Sequence, residues 1–116
     1  MAGEMVKFPS NGHEGEGYLA SPASGSGPGV IVIQEWWGLV PHIKDVADRL
    51  ATEGFVALSP DLYSGKTASE PDEAGKLMME LNIDEAARDM SGAVDYLIGL
   101  DAATGEKAGC VGFCVG

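Results

Sequence analysis

The chain has 116 residues, 45% of them apolar, which leaves room for one domain with a core of modest size. Eighteen acidic side chains against seven basic give a formal charge of -11. That excludes nucleic acid and anionic membrane surfaces as partners, since phosphate binding needs clustered Lys and Arg. No apolar run approaches membrane-spanning length, and the first twenty residues lack the apolar stretch of a signal peptide, so a reducing cytoplasm is the expected location.

The first thirty residues read as β-rich. Met5-Val6-Lys7-Phe8 predicts one strand and Gly17-Tyr18-Leu19-Ala20 a second, with a turn at Ser10-Asn11-Gly12 between them. His13 falls beside that turn, where a histidine is ordinarily solvated. Ser21 to Gly29, rich in Ser, Gly and Pro, is a surface loop leading into the core. Val30-Ile31-Val32-Ile33 is then four β-branched residues without alternation, the pattern of a strand covered on both faces of a parallel sheet. It ends in Gln34-Glu35-Trp36-Trp37-Gly38, an unusual place for a carboxylate and two indoles.

A helix follows from Pro41 or His42 to Leu50, with Ile43, Val46, Ala47 and Leu50 on its apolar face and Gly54 closing it. Asp45 and Arg49 stand four apart and are spaced to pair on its exposed side. His42, in its first turn, is read as a packing residue. Phe55-Val56-Ala57-Leu58 is the next buried strand, ended by Ser59-Pro60-Asp61. Strand, helix and strand with short connections make a right-handed βαβ unit. After a loop over 64–72, a short helix is expected over Asp72–Leu81 with Leu77, Met78 and Leu81 inward. The adjacent Met78 and Met79 read as core filling. A longer helix runs from Ile83 to Leu100 through Ala87, Met90, Val94, Leu97 and Ile98. The loop Asp101–Lys107 then leads into the apolar run Ala108–Val111.

That last strand runs into Gly112-Phe113-Cys114-Val115-Gly116, the cysteine form of the Gly-x-Ser-x-Gly nucleophile elbow. In such an elbow a strand turns sharply into a helix, and a Cβ two residues either side of the apex would clash with its neighbours. A helix N-terminus beyond the apex lowers a thiol's pKa. Cys110 and Cys114 are the only cysteines. If residues 108–114 are extended their sulfurs lie about 13 Å apart on one face. A disulfide needs Cα atoms within about 7 Å, so none is expected between them. No His or further Cys lies close in sequence, so no metal is expected either. Cys114 also fits a buried structural thiol, but its flanking glycines favour the nucleophile. Cys110 lacks such flanks and is assigned to the core. Glu35 can be a helix cap or a surface ion-pair partner, yet sheets of this kind place their sites at the carboxyl ends of strands. One of the two indoles is expected to wall a pocket there.

The order β-β-β-α-β-α-β-elbow resembles the front half of an α/β-hydrolase. Gln34-Glu35-Trp36-Trp37-Gly38, Asp45-Val46-Ala47-Asp48-Arg49-Leu50-Ala51, Ser59-Pro60-Asp61-Leu62-Tyr63 and Gly112-Phe113-Cys114-Val115-Gly116 are similar to the corresponding words of the dienelactone hydrolase family. The resemblance covers residues 4–116. It implies a three-layer α/β fold with a mostly parallel central sheet, of which residues 1–116 are the N-terminal portion of a single domain ending at the elbow. It implies hydrolysis of a small-molecule lactone or ester, with no cofactor. Cys114 would be the nucleophile, Glu35 the carboxylate that partners the resting thiol, and the backbone N–H groups of Trp36 and Val115 the oxyanion hole. Trp37, Tyr63 and Lys66 fall where substrate would be contacted. The triad Asp and His would come from the C-terminal half of the same fold, the other implied partner.

One position departs from the family. Members that bind an anionic lactone carry Arg two residues beyond the Tyr of Asp-Leu-Tyr, where this chain has Gly65. Lys66, next to it, supplies charge without Arg's two-pronged grip on a carboxylate. Two other readings stay open at this stage. Small cysteine amidotransferase-like proteins also set a Cys on an elbow near an upstream Glu, although they begin directly with a buried strand and lack the hairpin of residues 5–20. A truncated, non-catalytic domain that packs against a partner also fits, because no base follows Cys114.

Overall fold

Val30-Ile31-Val32-Ile33 lies at the middle of the molecule because both of its faces are covered. In the computed structural model, which describes residues 3–10, 12–63, 65–81 and 83–112, this run belongs to β3 (Gly27–Ile33). The hairpin of β1 (Glu4–Ser10) and β2 (His13–Ala20) is antiparallel, and β2 pairs antiparallel with β4 (Val56–Pro60). On its other side β4 pairs parallel with β3, which in turn pairs parallel with β5 (Ala103–Gly112). The sheet order is β1-β2-β4-β3-β5. β1, β3, β4 and β5 therefore run the same way, with the parallel-paired β3, β4 and β5 presenting their carboxyl ends side by side, while β2 runs against them and makes the sheet mixed in these residues.

The helices are α1 (Pro41–Thr52), α2 (Pro71–Glu80) and α3 (Ile83–Ile98). Alternate residues of the central strands face opposite layers. Val32 and Ala57 join Tyr18 and Ala20 against Ile43, Ala47 and Ala51 of α1. Ile31, Val56 and Leu58 join Phe8 against Ala93 and Leu97 of α3. Each buried Val, Ile or Leu contributes about 2 kcal/mol, and the alanines let each helix lie close to the sheet. Three layers result, as the unalternating runs predict. Pro41 starts α1 at a position where its missing N–H costs nothing. Gly54, at φ 102°, ends it as predicted.

Several expectations are corrected by the packing. Met79 is 88% exposed, Ile83 78% and Met78 38%, so neither methionine fills a core. The reason is that α2 buries a single side chain, Ala74, and so has little apolar surface to draw its neighbours inward. Ala87, assigned to the inner face of α3, is exposed. Cys110, assigned to the core, is also exposed, because β5 pairs with β3 alone among the described strands and its other flank is uncovered. His42 is exposed rather than packed, and Asp45 and Arg49 form no ion pair. His13 begins β2, opposite Ser10. The expected loop over 101–107 is shorter than predicted: Ala103 and Thr104 already pair with Gly27 and Pro28, and the register slips so that Ala108 is opposite Gly29.

Candidate active site

Among the described residues the pairing of β3 with β5 reaches Ile33 opposite Gly112, so the connection leaving β3 starts beside Gly112 at the sheet edge. From β3 the chain passes through the buried Gln34 into a tight turn over Glu35–Gly38. The turn is closed by the Gly38 N–H donating to the Glu35 carbonyl at 3.0 Å. Gly38 is at φ 102°, and a Cβ there would lie 2.7 Å from the Lys66 carbonyl oxygen. Only glycine satisfies both the left-handed backbone and that close approach. Glu35, Trp36 and Trp37 are half-buried, and the two indoles meet edge to face with centroids 5.3 Å apart. The Trp36 N–H donates to no acceptor among the described residues.

The connection leaving β4 forms the facing wall. Asp61 folds it by accepting from the Tyr63 N–H at 3.1 Å and the Gly65 N–H at 2.8 Å, a local turn made by a carboxylate. Tyr63 is buried within it, and the Lys66 N–H donates to the Tyr63 carbonyl at 3.2 Å. Gly38 then bridges to Thr67, and the Ala68 N–H donates to the Trp37 carbonyl at 2.9 Å. The Lys66 side chain is exposed and lines a hollow of about 440 Å³ with Glu73, Lys76 and Glu80 on the α2 side.

Burial raises the Asp61 carboxyl above its ordinary value, with Glu16 adding to the shift; the Gly65 and Tyr63 N–H groups and Lys44 oppose it. A raised folded-state pKa means that ionisation is harder in the folded chain than in the unfolded one. The stability Asp61 contributes is therefore complete below the ordinary carboxylate value of about 3.9. It declines as the pH rises through the higher folded value. Melts of wild type and Asp61→Ala between pH 4 and 7 are expected to show the wild type losing ground to the variant as pH rises. A difference that is flat, or that grows in favour of the wild type, contradicts the assignment.

Of the residues singled out in the sequence, Glu35, Trp36, Trp37, Tyr63 and Lys66 thus sit on two adjoining connections at one sheet edge. Cys114 and Val115 lie outside the described residues. Two residues not singled out join the connections: Gln34, whose side-chain oxygen accepts from the Leu62 N–H at 2.8 Å, and Ser59, which donates to the Val32 carbonyl at 2.8 Å. The available signal is that each is a polar residue at the end of an apolar run, and both are fully buried. Among the described residues no group of His, Cys, Asp and Glu is placed to hold a metal ion. No helix among them is long and apolar enough to cross a membrane.

A three-layer sheet whose parallel strands deliver a carboxylate, an open N–H turn and the Gly112 strand to one carboxyl edge is an α/β-hydrolase architecture. The sequence profile of the dienelactone hydrolase family matches residues 16–116, and the chain belongs to that family. It is 47% identical to Protein usf of Aquifex pyrophilus over 120 residues, spanning 98% of this chain and 52% of that protein. It is 31% identical to carboxymethylenebutenolidase 1 of Cupriavidus pinatubonensis, over 85% of this chain and 46% of that one. The solved structure named m3DLH matches at TM-score 0.81 and 28% identity, over 98% of this chain and 50% of its own. A dienelactone hydrolase-like promiscuous phosphotriesterase from metagenomic libraries matches at 0.77 and 25%, over 99% and 50%. The chain thus spans about half the length of the relatives it matches. Membership of this family decides against the cysteine amidotransferase-like alternative.

Proposed function

We propose that residues 1–116 are the N-terminal portion of a single hydrolase domain that cleaves a lactone or carboxylic ester through the Cys114 thiolate. Sulfur attacks the acyl carbon, the carbonyl electron pair moves onto oxygen, and the tetrahedral oxyanion is held by the Trp36 and Val115 N–H groups. Collapse expels the alkoxide, which takes a proton, and leaves a thioester that water hydrolyses. Glu35 partners the thiol at rest and gives up that partnership as substrate enters. Tyr63 and Trp37 wall the acyl group, and Lys66 supplies a nearby positive charge.

The observation that carries this reading is the Glu35–Gly38 turn: it leaves the sheet beside Gly112, two residues before Cys114, with the Trp36 N–H unbonded among the described residues. The base for both half-reactions, an Asp-oriented His by the family resemblance, belongs to the C-terminal half of the fold. The chain alone is therefore catalytically incomplete, and that half is its partner. No cofactor enters the cycle, and a thiol nucleophile suits a reducing cytoplasm. The acidic charge leaves nucleic acid and membranes out of the scheme.

Glu35 supplies the test. In the protein carrying both halves, Glu35→Gln is expected to slow the acylation burst with an activated ester by roughly 10- to 100-fold. Its thermal melt should move little. A melt lowered by many degrees with unchanged burst kinetics makes Glu35 structural and removes it from the site.

A further inference from the structure

Backbone pairing between β3 and β4 ends at Ile31 opposite Leu58, well short of the Glu35–Gly38 turn. Beyond it the two connections stay joined by two side-chain bonds standing in for ladder bonds and by one backbone bond further on. The Ser59 hydroxyl donates to the Val32 carbonyl, the Leu62 N–H donates to the Gln34 side-chain oxygen, and the Ala68 N–H donates to the Trp37 carbonyl. The first two lie wholly out of water. Gln34 is the middle tie and the nearest to Glu35. A backbone N–H can only donate, so the atom facing Leu62 must be the amide oxygen, which fixes the orientation of the group. Its Nε2 is then buried with no acceptor among the described residues. A side chain kept for packing alone would not bury such a donor, since a leucine or methionine fills similar space without that penalty.

We propose that Gln34 is a positioning residue that holds the Trp36 N–H at the spot where the oxyanion forms. The role rests on the reading of Trp36 as an oxyanion donor. Among the described residues, the other backbone bonds to the Glu35–Gly38 turn are its own closing bond and the Thr67–Ala68 contacts at its far end. Breaking the Gln34 tie frees its near end to drift from the β4 exit. A donor displaced by about 1 Å stabilises the transition state far less while ground-state binding changes little.

Two variants break the tie. Gln34→Met removes the acceptor, and Gln34→Asn keeps the amide but falls one methylene short of Leu62. Four quantities are measured on the protein carrying both halves. These are kcat and KM for an activated acetate ester, Ki for a trifluoromethyl ketone, and the rate of Cys114 alkylation by iodoacetamide. In the ketone adduct a C–S bond forms and the carbonyl pair becomes an oxyanion in the hole, whereas alkylation makes no oxyanion. Each variant is expected to lower kcat about 10-fold or more and raise Ki in parallel, with KM changed less than threefold. The alkylation rate stays at the wild-type value. If Gln34→Met yields no soluble protein, Gln34→Asn reads the same quantities. Values of kcat and Ki within twofold of wild type overturn the proposal, as does a fall in alkylation that matches the fall in kcat. Cys114→Ala, assayed alongside, separates the two levels. Hydrolysis surviving it sinks the underlying reading, while its loss beside unimpaired Gln34 variants sinks the positioning role alone.

Discussion

Cys114→Ala, made in the protein carrying both halves of the fold, is expected to lower activated-ester hydrolysis on the order of 10³-fold or more. On the proposed mechanism the alanine removes the atom that forms the covalent bond, and what remains is the Trp36 and Val115 N–H groups acting on water. Folding should be nearly untouched, because the Gly-x-Cys-x-Gly pattern assigns the turn to its glycines and not to the thiol. Labelling sharpens the expectation. Cys110 lies exposed on β5 in residues 1–116, but in the complete protein the second half is expected to cover that strand. Alkylation of Cys114 by iodoacetamide in the complete protein is therefore expected to outpace both Cys110 and the same thiol in unfolded protein, as for a thiol activated beside a helix N-terminus. Equal labelling of the two cysteines, or activity surviving the alanine, contradicts the assignment.

Residues 1–116 produced on their own, without the second half that relatives of twice the length carry, are expected to be inactive and to self-associate. In the described residues β5 pairs on one side only, and Gly109, Cys110 and Gly112 stand exposed along it. Such an edge offers a row of unpaired N–H and C=O groups to any second chain. Val111, half-buried beside the α1 core, adds apolar surface at the same place. On the proposed mechanism the base comes from the second half, and His42, exposed on the first turn of α1, is not assigned to that role. Light scattering after gel filtration should show species larger than a monomer, and activated-ester hydrolysis should match the buffer rate. A compact monomer whose turnover depends on Cys114 contradicts this and returns His42 as a candidate base.

How much of this was legible in the sequence follows from which contacts are local. Val30–Ile33 and Val56–Leu58 announce buried strands because both faces are covered, although Phe55, read as part of the second, precedes β4 and is exposed, and α1 announces itself through its apolar spacing, Pro41 and Gly54. The dipeptide Glu35-Trp36 drew attention as a candidate site because a carboxylate beside an indole is unusual at the end of a buried strand. What stayed hidden depends on juxtaposition. The antiparallel seating of β2 on β4 is set by the sheet as a whole, and no local pattern encodes it. Met78, Met79 and Ile83 have helical spacing, but α2 has too little apolar surface to pull them inward. Cys110 resembled core because an edge strand and a central strand read alike when the neighbour is unknown. Gln34 and Ser59 gave only a polar letter in an apolar run, and their role appears once β3 and β4 are side by side. Asp61 read as the end of a strand, whereas its carboxylate folds the whole Tyr63–Gly65 turn.

The central claim is that an acyl group passes through the sulfur of Cys114. The complete protein, mixed with p-nitrophenyl acetate and quenched in acid during the burst, should yield an acetyl thioester on the peptide containing Cys114, in step with the p-nitrophenolate released. Steady turnover with no acyl adduct, or an adduct on any other residue at the burst stoichiometry, would contradict it.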